Sequence, residues 1–519
     1  MIIKKILMTS LLFSVMLSCS KEKRYTPAEP FVEEKFNIFP KPQRTATASS
    51  VQSTGWVGDA MPYFSNGQFN IFFLHDAPDQ VKQNSQGQHP IHKFSSTNLL
   101  DFSYDGEMIP YGNKLTQDLL IGTGSMVKAG NTNYFYYTGH NASGSWLQNA
   151  NTAFADANTV EAVMYASSTS MADWTKKPGF ALKAPEGYSR NEFRDPFVFY
   201  NEEFGQYWMV VSAQKSDKGV LLVYTSTDPA TDQWVLRGPM VVAGDYLMLE
   251  CADVFKIDDQ YFMLFAEDWS SSPGTHYRVA ASSAGPWLKP ADGIDMFDGH
   301  QFYAARSASD GTARYAFGWA HRRNPENDNG TRTWGGNLVV QQLSKLGSDK
   351  LAVKSPAAVK KYFTSDSAPV ITGQSGTVSN LSADYVLSGS STPASYKFAA
   401  LSGTTMLKGS LSVNNLTGVA SIGFNTKDNQ MASYLIRFEP ASRRIAAYNN
   451  NNEVTRVPFS FEANKTYTFS IVIDGSMVVL YLNDQIALTN RIYSAKASPW
   501  TINADGLELK LNNLKVSTH

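Results

Sequence analysis

Two cysteines among 519 residues, Cys19 and Cys251, leave almost nothing from which to build a disulfide framework. Charge of one sign is also lacking: 45 basic residues stand against 46 acidic ones. The chain therefore has no field to draw in nucleic acid or an anionic membrane surface, and a neutral ligand suits it better. Past residue 18 no apolar run is long enough to cross a bilayer. The histidines are scattered; His75, His92, His140, His300 and His321 make no metal-ligand spacing, and neither a metal nor another cofactor is required. A Gly-rich phosphate loop and a G-x-S-x-G elbow are both missing, which removes the signatures of nucleotide enzymes and of serine hydrolases. Helical periodicity is weak throughout.

What is present begins with an export signal over residues 1–18. Lys4 and Lys5 precede an apolar run, Ile6 to Leu17, too short to stay in a membrane. Val15-Met16-Leu17-Ser18-Cys19 resembles the lipobox of bacterial lipoproteins, which implies cleavage before Cys19 and lipid on its thiol. The expected place is the bacterial cell envelope, on the outer membrane, at its periplasmic or surface face, with the lipid as sole membrane contact. The other reading is an ordinary secretory signal in which Cys19 is incidental. Residues 19–45, polar with several Pro and Lys, read as a tether.

Aromatic residues at 13%, with 36 glycines, favour many short strands and tight turns over helices. A unit then recurs: a short apolar strand, a polar turn, and a second strand rich in aromatics. Its second strands are Phe69-Asn70-Ile71-Phe72-Phe73, Tyr134-Phe135-Tyr136-Tyr137, Tyr207-Trp208-Met209-Val210-Val211, Tyr261-Phe262-Met263-Leu264-Phe265 and Tyr315-Ala316-Phe317-Gly318-Trp319. Copies ~50 to 70 residues apart suit four-stranded blades, so residues 46–345 are expected to form a five-bladed β-propeller; a sandwich would give strands without this period. Residues 346–370, rich in Ser, Lys and Pro, read as a linker. The alternating strands of 371–519, such as Phe469-Ser470-Ile471-Val472-Ile473, predict a separate β-sandwich, which either packs on the propeller or binds glycan. The fold class is all-β.

In a propeller the first strand of each blade lines the axis, so polar residues just before such strands face the channel mouth. Three acids are expected there: Asp59, Asp195 in Arg194-Asp195-Pro196, and Glu250 in Leu249-Glu250-Cys251. Convergence of such acids is what glycosidic cleavage needs, one carboxylate to attack or to activate water and one carboxylic acid to protonate the leaving oxygen. A third stabilises positive charge, and crowding raises the proton affinity of one member. Asp253 competes with Glu250 for the acid role or binds substrate. Taken singly, each acid could instead cap a turn, and Arg194 with Asp195 could form a structural ion pair.

The order and surroundings of these acids resemble glycoside hydrolase family 32, the invertase, inulinase and levanase family. The likeness extends to Ile91-His92-Lys93-Phe94-Ser95-Ser96-Thr97-Asn98-Leu99, Tyr137-Thr138-Gly139-His140-Asn141, Phe302-Tyr303-Ala304-Ala305, Gly318-Trp319 and, in the last domain, Tyr481-Leu482-Asn483-Asp484. The resemblance implies Asp59 as nucleophile, Asp195 as transition-state stabiliser, Arg194 on sugar hydroxyls, Glu250 as general acid/base and Trp56 as an apolar wall of the sugar pocket. It implies β-fructofuranosidic hydrolysis with retention. The sequence departs from the family's Trp-Met-Asn-Asp-Pro-Asn-Gly: Gly58 stands for the Asn before the acid, and Ala60-Met61-Pro62 follows it. Leu74 replaces a sugar-binding Gln, and the Trp expected near residue 91 is missing. Hydrogen bonds to a terminal fructose are lost, which leaves the sugar open. Two other readings compete: an inverting arabinofuranosidase or xylosidase on the same kind of propeller, and a glycan-binding lipoprotein without catalysis.

Overall fold

Each aromatic-rich repeat folds as an antiparallel sheet whose strands follow chain order. The computed structural model describes residues 35–519 apart from 48–49, 77–87, 149–158, 178, 231, 427–431 and 497; the expected export signal and Cys19 lie outside the described residues. The innermost strands are Trp56–Ser65, Leu120–Ala129, Phe193–Asn201, Glu250–Ile257 and Phe302–Ser309. Each pairs with the strand that follows it. Each also neighbours the innermost strand of the next sheet, and the fifth returns to the first. Five sheets closed this way are a five-bladed β-propeller. One register pair, Gly336 with Val57, joins the last blade to the first.

Burial on both faces explains why the strands read as continuous apolar runs. In Gln206–Lys215, Met209 and Val211 face the core shared with the second blade, whereas Trp208 and Val210 face the fourth. An eight-stranded and a seven-stranded sheet form the C-terminal β-sandwich, the larger one including Ser365–Ser367. Its strand Tyr467–Asp474 points Ile471 and Ile473 into the sandwich core and Val472 into a cluster with Phe297 and Phe302 of the propeller. The two domains thus share buried apolar surface.

Two segments differ from their sequence reading. Within the expected linker, Lys350–Lys354 adds a strand to the last blade and Ser365–Ser367 pairs with Glu508–Thr518 of the sandwich. The junction is therefore built into both domains. Within the expected tether, Ile38 and Phe39 are buried, and the Asp474 carboxylate accepts their backbone N–H groups at 2.7 and 3.1 Å. Phe39 and Pro40 carbonyls accept from Asn337 Nδ2 and Leu338 N, both at 2.8 Å. Residues 37–40 are thus a stitch between propeller and sandwich, because five backbone polar groups, with the Asn37 N–H on Asp474 as the fifth, find fixed partners there.

The same seam holds buried charge. Asp298 accepts from the Thr489 backbone N–H at 2.7 Å, its hydroxyl at 2.6 Å and Gln341 Nε2 at 2.6 Å. Burial nonetheless pushes its carboxyl up to about 6. From the sandwich, Arg491 donates to the His321 carbonyl at 2.8 Å and to Asn337 Oδ1 at 2.6 Å.

Candidate active site

All five innermost strands break register close to their starts: between Val57 and Ala60, Gly122 and Gly124, Arg194 and Phe197, Glu250 and Asp253, and Tyr303 and Arg306. Such β-bulges leave one residue unpaired and re-aim its neighbours. At three of them a residue other than glycine holds a left-handed backbone: Asp195 (φ +59°), Cys251 (+55°) and Ala304 (+52°). The acids sit inside the strands at these bulges, rather than before the strands as the sequence reading had them. Carbonyls released by the bulges turn to the axis, where the buried Arg306 collects them. Its guanidinium donates to the carbonyls of Asp195 at 2.9 Å, Cys251 and Pro196 at 3.4 Å, and Gly124. One cation from the fifth blade thereby holds the second, third and fourth.

Asp59, Asp195 and Glu250 are brought into one site. Thr123 Oγ1 donates to Asp59 Oδ2 at 2.5 Å, and Trp319 Nε1 to Asp59 Oδ1 at 2.9 Å. The Cys251 thiol lies 3.8 Å from both Thr123 Oγ1 and Asp195 Oδ2, and the Cys251 backbone N–H donates to Asp195 Oδ2 at 3.0 Å. Glu250 Oε1 accepts from Arg194 Nη2 at 3.0 Å, and its Oε2 accepts from the Tyr303 hydroxyl at 2.7 Å. Arg194 also reaches Glu161 at 3.3 Å and Glu192, so its fork is shared among three carboxylates. Burial raises the proton affinity of Asp59, opposed by the Thr123 bond and helped by the charge of Glu250. Crowding acts most visibly on Asp195: burial pushes it up to about 7, Arg194 opposes, and the charges of Glu250 and Asp59 add.

Two further expected site residues are buried. Asp253 is 1% exposed and accepts the Ser307 backbone N–H at 2.6 Å, which ties the fourth blade to the fifth. The bulge between Glu250 and Asp253 separates the two acids along the strand. Trp56 is 7% exposed, with its indole N–H on Glu326 at 3.0 Å and the Arg322 guanidinium 3.8 Å above its ring. Trp319, which bonds Asp59, and Trp334 stand with ring centroids 5.4 Å apart.

Trp334 also explains Gly58. A Cβ at position 58 would lie only 1.9 Å from the nearest atom of the Trp334 ring, and His89 stacks on that ring at 4.2 Å. Gly58→Asn is expected to lower the unfolding temperature through overpacking of ~1–3 kcal/mol, and Trp334→Ala in the same chain to restore most of it. Equal melting of Gly58→Asn and the parent would show that the ring moves freely. Sequence reading quoted Tyr303 and Trp319 without giving them roles and missed Thr123, Glu161, Arg306 and Trp334. Thr123 had one signal, a polar residue between two glycines at the start of a blade.

The sequence profile of the glycosyl hydrolases family 32 N-terminal domain matches residues 52–355. That of the GH32, BT1760-like, C-terminal domain matches residues 351–516. A raffinose invertase of Escherichia coli is 28% identical over 305 residues, 55% of this chain, and the match spans only 59% of that relative's length. A sucrose-6-phosphate hydrolase of Pediococcus pentosaceus is 23% identical over 518 residues, 94% of each chain. Among solved structures, an exo-inulinase from Aspergillus awamori shares the fold, with a TM-score of 0.68 at 17% identity over 95% of this chain and 98% of that one. With its propeller and its sandwich each matched by a profile of the family, the chain belongs to glycosyl hydrolases family 32.

Proposed function

We propose that this protein is a glycoside hydrolase that cleaves β-fructofuranosidic bonds in oligo- or polysaccharides with retention, from a lipid anchor on the cell envelope. The observation that carries this reading is the hydrogen-bonded grouping of Asp59, Asp195 and Glu250 from three different blades. In this scheme Asp59 attacks the anomeric carbon while Glu250 protonates the departing glycosidic oxygen, which leaves a fructosyl ester on Asp59. Glu250, now a carboxylate, takes a proton from water, whose oxygen displaces Asp59 at the same carbon. Two displacements at one centre restore its configuration. Asp195 faces the positive charge that develops on the ring. Relatives named for raffinose and for sucrose 6-phosphate support a furanoside substrate.

The test is sugar release from sucrose, raffinose, fructans, arabinans and arabinoxylans, with the first product anomer read by NMR. Fructose released as the β-anomer, by the membrane fraction of expressing cells and by the supernatant after Cys19→Ala, is the expected result. Activity on arabinosides alone would replace the reading with the inverting class. Glycan binding without release would make the protein a lectin-like member of the family.

A further inference from the structure

A group that must carry a proton stands, in this site, against a cation that disfavours one. Arg194 turns Nε and Nη2 to a single oxygen of Glu250, Oε1, at 3.3 and 3.0 Å. Left undivided, that positive charge would favour the carboxylate and leave no proton for a departing oxygen. Nη1, on the other side of the same guanidinium, meets Glu161 Oε2 at 3.3 Å and also Glu192. The Glu161 side chain is 9% exposed and that of Glu192 34%, so water weakens the second partner far more than the first.

The fold holds Glu161 in this place from several directions. It begins the third strand of the second blade, Glu161–Ser168, in register with His140 at the end of Thr132–His140. Its backbone N–H donates to the Arg190 carbonyl at 3.1 Å, and its Oε2 accepts the Phe193 N–H at 2.8 Å. The carboxylate therefore grips the backbone immediately before Arg194 as well as the guanidinium, and its Oε1 lies 3.5 Å from His140 Nδ1. Burial opposes the charge, yet Arg194, His140 and the Phe193 N–H together hold the Glu161 carboxyl below its ordinary 4.5. It is an anion throughout the neutral range.

The charged and titratable groups around Glu161 are Arg194 and His140; around Glu250 they are Arg194, Asp59, Asp195, Cys251 and Tyr303. Arg194 is common to both sets. We propose that Glu161 is a positioning residue: by taking the far side of the Arg194 fork it limits the positive charge that Glu250 feels, so that Glu250 can hold a proton for the leaving group. This rests on Glu250 being the acid.

The test uses the full-length protein, Glu161→Gln, Glu161→Asp and Glu192→Gln, with sucrose, raffinose and fructan as substrates, and reads where kcat/KM falls on the alkaline side. Glutamine keeps an oxygen for the Phe193 N–H and removes only the charge. In Glu161→Gln the alkaline limb is therefore expected to move to lower pH by about half a unit or more, with the plateau on its acid side changed much less. Glu161→Asp keeps the charge and should keep the limb. Glu192→Gln leaves the Phe193 bond intact and should move the limb the same way by a smaller amount; it decides the matter if Glu161→Gln does not fold. A limb that stays in place, or a loss by the same factor at every pH, overturns the proposal. Carbon-13 NMR of labelled glutamate carboxyls, with Glu250 identified by its absence from Glu250→Gln, follows the same proton without substrate. If nothing is hydrolysed and the Glu250 signal still titrates at lower pH in Glu161→Gln, the sharing of Arg194 stands and the hydrolase reading falls. If the alkaline limb of the parent survives in Glu250→Gln, the acid lies elsewhere and the proposal falls with it.

Discussion

Glu250→Gln is expected to lower kcat on sucrose between ~100- and 10,000-fold, the range that a positioned proton donor contributes. The amide keeps an acceptor for the Tyr303 hydroxyl, and Arg194 retains Glu161 and Glu192, so the fold at the site has little cause to change. What disappears is the proton for the leaving oxygen and, in the second displacement, the base for water. A fructosyl donor whose leaving group departs without a proton should suffer far less in the first step. Added azide, a nucleophile that needs no base, should then restore turnover and give fructosyl azide. Equal losses on both kinds of donor, with no response to azide, would remove Glu250 from proton transfer.

Asp195→Asn should separate activity from stability. Removal of a charge aimed at a developing cation costs catalysis ~100-fold or more. The same charge burdens the folded state. Its carboxyl is pushed from the ordinary 3.8 up to about 7 in the folded chain, so the native protein holds this proton more tightly than the unfolded one. Stability is full below about pH 4, falls as pH rises between those values, and carries the whole penalty above pH 7. Asparagine has no charge to bury and keeps an oxygen for the Cys251 N–H. The variant is therefore expected to unfold about 2–4 °C above the parent at pH 8 and together with it near pH 4. A variant that melts earlier at pH 8 would show that the fold needs the anion.

Local signals made much of this legible in the sequence. The aromatic repeats announce blades because each is a hairpin whose strands are neighbours in the chain, and Asp195 and Glu250 are marked by Arg194, Pro196 and Cys251 beside them. Long-range partners were illegible: Trp319 meets Asp59 across 260 positions, and Arg306 reaches the Asp195 carbonyl across 111. The bond from the Ser307 backbone to Asp253 was equally illegible, because it crosses 54 positions between two blades. The stitch at residues 37–40 read as tether because its two apolar side chains find their shelter in another domain.

That stitch also orders events during synthesis. Ile38 emerges from the ribosome early, and its partner Asp474 follows 436 positions later. Hairpins of each blade can form as they appear, but the beginning of the chain has to wait for the C-terminal sheet, and contacts so distant are slow to make. Residues 37–40 and Asp474 thus come together only once the sandwich strand Tyr467–Asp474 has been made. Loss of either partner opens the same seam.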